Sequence, residues 1–208
     1  MRIHLPKLLS IMLLLACLGG CASMRPEQFA AATPRFNQQR FNPMRYFEGL
    51  TQSWGVIESR SGEPRSTFRA KMLGVRDGVG DRPDGLTITQ DFTFDDGRKQ
   101  QRIWHIKRID EHRFDATGSD VIGVATGYAW GNTFRWEYTL QLKAGNPLTR
   151  VRMKHWMYLT DDGDTMINRV IISKLGIVVA ETTEYFRRGE AVPAIGDAIR
   201  NASTSAAP

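Results

Sequence analysis

The chain predicts an all-β fold: an antiparallel meander of about ten strands closed into a barrel. Three observations carry this. Phe134, Trp136, Tyr138, Leu140 and Leu142 alternate with Thr133, Arg135, Glu137, Thr139 and Gln141. That period of two gives one apolar face and one wet face. Turn chemistry recurs at Asp95-Asp96-Gly97, Gly145-Asn146-Pro147 and Asp161-Asp162-Gly163. The runs between turns leave no room for helical crossovers, so neighbouring strands are antiparallel. Each strand then needs cover on one face. A long meander meets that need by curling shut, which also removes exposed edges. A β-sandwich is the main alternative. Gly118, Gly123, Gly127 and Gly131 sit in or beside one strand and favour the barrel by permitting sharp bends.

Strands are expected near 46–60 and 65–76, then at 85–95. There Leu86, Ile88, Phe92 and Phe94 alternate with Thr87, Thr89, Asp91, Thr93 and Asp95. The next strand, 98–109, sets Arg102, Trp104 and Ile106 on one face. A short strand at 112–117 leads to the glycine-rich 121–130 and the alternating 132–143. In 148–160, Val151, Met153, Met157 and Leu159 alternate with Arg150, Arg152, Lys154 and Tyr158. In 165–174, Met166, Asn168 and Val170 share a face, and 177–187 completes the set.

The ends read differently. Arg2 and Lys7 precede an almost wholly apolar run, Leu8 to Leu18, followed by Gly19-Gly20-Cys21. That run is too short to cross a bilayer, which takes about 20 residues, but it suits a signal-peptide core. The order resembles a bacterial lipoprotein signal, with residues 1–20 removed and Cys21 lipidated. Residues 21–44, punctuated by Pro26, Pro34 and Pro43, read as a lipidated tether. Residues 45–188 form the expected barrel domain and 189–208 a flexible tail, with a short helix near Pro193 to Arg200. Losing Arg2 and Lys7 leaves 26 basic against 22 acidic residues, a charge of +4. The charges are interleaved, which argues against a nucleic-acid partner. Cys17 goes with the signal and Cys21 is capped, so no thiol remains for a disulfide or metal. Ala22 follows the lipidated Cys, and by resemblance to enterobacterial sorting rules this places the protein on the inner leaflet of the outer membrane, facing the periplasm.

Several motifs resemble those of a bacterial lipoprotein family, domain of unknown function 3833 (DUF3833). They are Phe47-x-Gly49, Trp54-Gly55, Asp91-Phe92, Asp96-Gly97, Arg102-x-Trp104 and Asp120-Val121-x-Gly123-x-Ala125-x-Gly127. Trp136-x-Tyr138, Trp156-Met157-Tyr158, Asn168-Arg169 and Ser173-Lys174-x-Gly176 complete them. The resemblance spans about residues 45 to 187 and implies kinship without an activity. Gly49 and Trp54 also resemble the opening of lipocalin-type barrels, so the expected architecture is lipocalin/calycin-like.

No catalytic constellation stands out, and the expectation is a non-enzyme without cofactor or metal. His105, His112 and His155 lack helical metal spacing, although His105 and His155 lie on β-runs. Ser53 and Ser173 lack a Gly-x-Ser-x-Gly context. Asp95, Asp96, Asp161, Asp162 and Asp164 occupy turns, where Asp closes the turn. Polar residues that interrupt apolar faces are more informative: Gln90, Arg102, His155 and Asn168. A buried polar group needs a partner, and leaving it without one costs roughly 1–3 kcal/mol. Several of them in one apolar wall is the make-up of a small-molecule pocket. Trp54, Trp104, Trp130, Trp136 and Trp156 either fill a core, the commoner use of such residues, or line the pocket, with Met153, Met157 and Met166 as a pliable wall.

The leading expectation is an envelope lipoprotein whose barrel binds an apolar or amphipathic molecule such as a lipid. Candidate ligand-binding residues are Gln90, Phe92, Trp104, Trp136, Met153, His155, Met157 and Asn168. The alternative is a solid barrel that docks an envelope partner through outward Arg135, Arg150, Arg152 and Lys154. An internal void above about 300 Å³ separates the two. The anchor is tested by Cys21→Ser, which should release the protein as uncut precursor or soluble periplasmic species. A wild-type chain that fractionates as soluble and takes up no labelled palmitate rules the anchor out.

Overall fold

Alternating side chains become paired strands around the whole domain. The computed structural model describes residues 40–77 and 85–189. In chain order the strands are β1 (Gly49–Ser59), β2 (Pro64–Asp77), β3 (Gly85–Phe94), β4 (Lys99–Arg108) and β5 (Arg113–Gly118). They continue with β6 (Val121–Trp130), β7 (Thr133–Gln141), β8 (Arg150–Leu159), β9 (Thr165–Lys174) and β10 (Ile177–Arg188). Every neighbouring pair is antiparallel, and β1 closes the ring against β10, from Thr51 opposite Arg188 to Ser59 opposite Ala180. The expected meander and closure are both present. The signal segment, Cys21, the tether through residue 39 and the tail beyond 189 lie outside the described residues.

The register follows the hydrophobic period. Phe134, Trp136, Tyr138 and Leu140 are buried, whereas Arg135, Glu137 and Thr139 lie on the outer face, half exposed. Leu142 departs from the pattern. β7 ends at Gln141, and Leu142 is 62% exposed in the loop beyond it. The glycines of β6 serve two purposes. Gly123 adopts φ +73° where the pairing with β7 breaks between Ile122 and Thr126, a bulge that bends the strand. Gly127 instead makes room, because a Cβ there would sit 2.3 Å from the Trp136 ring and 2.5 Å from that of Phe134.

The first strand starts later than expected, since a single helical turn, α1 (Pro43–Tyr46), precedes it. Asn42 caps this turn by accepting the Met44 N–H at 3.0 Å, and Pro43 supplies a preset φ at its first position. The turn plugs one end of the barrel. The Phe41 N–H donates to Gly131 O at 2.6 Å, and the Phe41 ring stacks on Phe134 at 5.4 Å. The Tyr46 hydroxyl donates to Asp164 O, and Phe47 meets Phe186 edge-on. Burial pushes the Tyr46 hydroxyl pKa well above its ordinary value. The folded domain therefore begins by Phe41, inside the segment expected as tether, because its aromatic residues have a barrel end to bury in. Phe41 is 4% exposed, so Phe41→Ala should cost about 3 kcal/mol in urea unfolding. An unchanged midpoint would return residues 41–44 to the tether.

Candidate functional site

Strand direction sorts the barrel into two ends. β1, β3, β5, β7 and β9 all run away from α1. The turns after them (residues 60–63, 95–98, 119–120, 142–149 and 175–176) therefore ring the opposite end. A cavity of about 660 Å³ lies inside and reaches that ring, lined there by Ile57, Phe94, Leu142, Lys143 and Val179. Its size follows from strand number. About eight strands leave an interior that side chains just fill or that holds one small ligand, and the diameter grows with each further strand. Ten strands with ordinary core residues leave space over.

All eight candidates of the sequence reading line this one cavity: Gln90, Phe92, Trp104, Trp136, Met153, His155, Met157 and Asn168. Strand neighbours bring them together, with His155 opposite Trp136 and Asn168 opposite Met157. Other expectations did not hold. Trp54 lies on the outer wall, 48% exposed, because it falls on the off-beat of β1. Trp156 also faces out, under the Arg135 guanidinium. Trp130 stacks on His112 at 3.4 Å beside the closed end. Met166 is fully buried but does not reach the cavity. His105 is exposed and bonds Thr87, so it does not pair with the buried His155. Asp162 serves its turn, accepting the N–H groups of Asp164 and Thr165. Among the described residues no three His, Cys, Asp or Glu side chains gather as a metal site. The outward cations of the alternative reading are partly engaged, since Arg135 and Arg152 both bond Glu137.

The polar residues of the wall join into two groups. In the first, Tyr138 Oη lies 3.0 Å from His155 Nε2, Asn168 Nδ2 lies 3.1 Å from His155 Nδ1, and Asn168 Nδ2 donates to Glu184 Oε2 at 3.0 Å. The Asn168 amide donates both ways, so His155 accepts on Nδ1 and its proton sits on Nε2, facing Tyr138. Tyr138 Oη is then an acceptor in this contact, and its own hydrogen has no acceptor in the group. In the second group Arg102 grips Asp120 with two bonds, Nε to Oδ1 at 2.6 Å and Nη2 to Oδ2 at 2.9 Å. Gln100 donates to the same carboxylate, and Trp104 Nε1 donates to Gln90 at 3.3 Å. Arg102 also lies over the Phe92 and Trp104 rings, 5.5 Å from each.

Four members were not picked out as site residues from sequence. Asp120 stood only in a family motif, and Gln100 was unremarked. Tyr138 read as an apolar strand residue, and Glu184 went unremarked in an edge-to-edge run of polar residues, Glu181-Thr182-Thr183-Glu184. The period of two held the signal for Glu184, since it shares a face with the buried Phe186 and Thr182.

Burial sets the protonation of the first group. Desolvation pulls the His155 pKa down to about 3, so the ring is neutral at physiological pH. Desolvation pushes the Glu184 pKa up to about 7, against the stabilising effect of Ser53 and Asn168 and the Arg102 charge. Thr51 Oγ1 and Asn168 Oδ1 are buried without hydrogen-bond partners among the described residues.

The two shifts act in opposite senses on stability. His155, with its folded pKa below 6.5, makes stability fall as pH drops below 6.5 toward 3. Glu184, with its folded pKa above 4.5, makes stability fall as pH rises from 4.5 to about 7. Glu184→Gln removes only the second contribution. Its unfolding free energy should therefore gain on wild type as pH rises through that window, by at most roughly 1.4 kcal/mol per unit. A difference between the two proteins that stays flat with pH would refute the Glu184 shift.

The family model described as Protein of unknown function (DUF3833) matches residues 15–188. No curated protein matches the chain. Among solved structures, the barrel is similar to the S-type phycobiliprotein lyase CPES from Guillardia theta. The identity is 9%, over 72% of this chain and 92% of that one, with a TM-score of 0.51. It is also similar to Rv2717c from M. tuberculosis, at 13% identity over 72% of this chain and 99% of that one, with a TM-score of 0.49. A redesigned beta barrel, mFAP1, bound to DFHBI, matches at 13% identity over 70% of this chain and 97% of that one, with a TM-score of 0.35. At 9% identity the likeness to the lyase is one of fold.

Proposed function

The chain belongs to the DUF3833 family, and we propose that it is an envelope lipoprotein whose barrel binds an apolar or amphipathic small molecule such as a lipid. The cavity carries this reading. Its volume of about 660 Å³ lies within the usual range for ligand pockets, roughly 300–1,000 Å³. It also exceeds the void that separates a ligand site from a filled docking barrel. The acyl or ring portion of the molecule packs against Phe92, Trp136, Met153 and Met157. Its polar end meets Gln90, His155 or Asn168, with Tyr138 as a further donor. The protein works by burial and release. No step breaks a covalent bond, and no cofactor or metal takes part. The proposal includes a lipid anchor at Cys21 on the inner leaflet of the outer membrane, facing the periplasm.

The test uses a residue outside the hydrogen-bonded groups, because His155 holds two partners and its loss would cost stability for structural reasons alone. Met153 is half-buried at the cavity wall. Met153→Trp pushes an indole into the void. Native mass spectrometry and solvent extraction of the envelope-expressed protein should find a co-purifying small molecule. The variant should carry several-fold less of it at an unchanged melting temperature. Wild type with nothing bound, or a variant that melts early because the space is already filled, would refute the pocket.

A further inference from the structure

Two neighbouring hairpins at the open end carry apolar side chains that the barrel leaves exposed. In the β7–β8 loop, Leu142 is 62% and Leu148 76% exposed. In the β9–β10 hairpin, Leu175 is 95%, Ile177 59% and Val179 43% exposed. The two hairpins stand side by side, since Arg152 of β8 pairs with Ser173 of β9 just below them. They form part of the cavity mouth, which Leu142, Lys143, Thr149 and Val179 line.

Leu175 is the most telling of these residues. It holds φ +50°, followed by Gly176 at +82°, in a two-residue turn. Both central positions of such a turn require positive φ, and Asn-Gly is the sequence that suits it. A leucine there is disfavoured by its backbone and by its exposure to water. Nothing within the barrel compensates, so the side chain answers to something outside it.

The charge pattern identifies that partner. Neither Gln141 to Arg150 nor Ile171 to Ala180 contains an Asp or Glu, whereas both carry cations: Lys143 and Arg150 in the first, Lys174 in the second. Two turns at the closed end carry acids by contrast, with Asp161, Asp162 and Asp164 in one and Asp110 and Glu111 in the other. At the mouth, Asp95 and Asp96 lie half-way round the ring from the leucine hairpins, and the nearer acids are held by arginines, Glu63 by Arg65 and Asp120 by Arg102. Protruding apolar tips whose own segments carry cations and no acid complement a bilayer with anionic headgroups, where the side chains reach the acyl boundary and the cations meet phosphate.

We propose that the β7–β8 and β9–β10 hairpins dock on an anionic lipid bilayer, so that the cavity opens against the membrane from which its ligand enters or to which it returns. The geometry stands on its own, while the loading role rests on the ligand-binding reading above. The chain enters the barrel at the closed end, opposite these hairpins. Even so, the 19 residue steps from Cys21 to Arg40 reach about 65 Å when fully extended. A ten-residue strand rises only about 33 Å. An anchored domain can therefore turn its mouth to the bilayer.

The test is hydrogen–deuterium exchange of the full chain. It is run alone, with vesicles of phosphatidylethanolamine and phosphatidylglycerol, and with vesicles of phosphatidylcholine only. The anionic vesicles should protect residues 142–149 and 175–176 several-fold, less so at high salt, and should leave 109–112 and 160–164 unchanged. The double variant Leu148→Ser, Leu175→Asn should lose that protection. Its melting temperature should not fall, because Asn accepts the left-handed backbone more readily than Leu. Four results would overturn the proposal: no protection, equal protection at both ends, protection that persists in the variant, or protection without vesicles that grows with protein concentration, which assigns the patch to a second copy. Extracting bound small molecules from the same samples keeps the two readings apart. Hairpin protection with an empty cavity refutes the ligand alone, and a filled cavity without protection refutes the docking alone.

Discussion

The pairing of β1 with β10 is the contact on which the rest of the molecule depends. It joins the ends of the domain, far apart in sequence, and leaves no sheet edge unpaired. It also fixes the circumference at ten strands. Interior volume rises with strand number faster than the inward side chains can fill it, so closure at ten makes a void rather than a solid core. The cavity comes from this closure, and the residues around it determine its character.

That character is an apolar wall interrupted by polar groups that largely satisfy one another. Arg102 is buried, and its bidentate bond to Asp120 is what makes the burial tolerable. A lone guanidinium in that position would be strongly destabilising. On the other side Tyr138, His155, Asn168 and Glu184 run through four consecutive strands, β7 to β10. This group also ties neighbouring strands into register, because each member must meet the next at a set height. His155 and Glu184 shift in opposite directions from the same cause, burial. Their contributions to the pH dependence oppose each other between about 4.5 and 6.5. A site built this way keeps its protonation steady through the range where carboxylates ordinarily titrate, and Glu184 ionises only near pH 7.

The two ends of the barrel differ in their chemistry. Stacked aromatics and a capped helical turn seal one end: Phe41 on Phe134, Tyr46 on Asp164 and Phe47 on Phe186. Among the described residues the other has no such plug, and two of its neighbouring turns are apolar at the tips with cations beside them. Phe94, Leu142 and Val179 line the cavity at the unplugged end.

The sequence by itself determined the strands, their antiparallel order, the inward face of the strands near 85–109, 132–160 and 165–174, and eight of the residues that line the cavity. Alternation is a local property, with a period of two wherever one face is buried, and polar breaks such as Gln90, His155 and Asn168 are visible against it. The tertiary structure alone decided the rest. Glu184 joined the site because the β9–β10 register sets it directly opposite Asn168, a pairing fixed only when the two strands lock into register. Phe41 and Met44 left the expected tether because a barrel end was available to bury them. Trp54 and Trp156 faced outward because position along a strand, not residue type, decides which side of a wall a ring occupies. The void itself was also decided there, because it is a property of closure at ten strands and no single segment of the chain contains it.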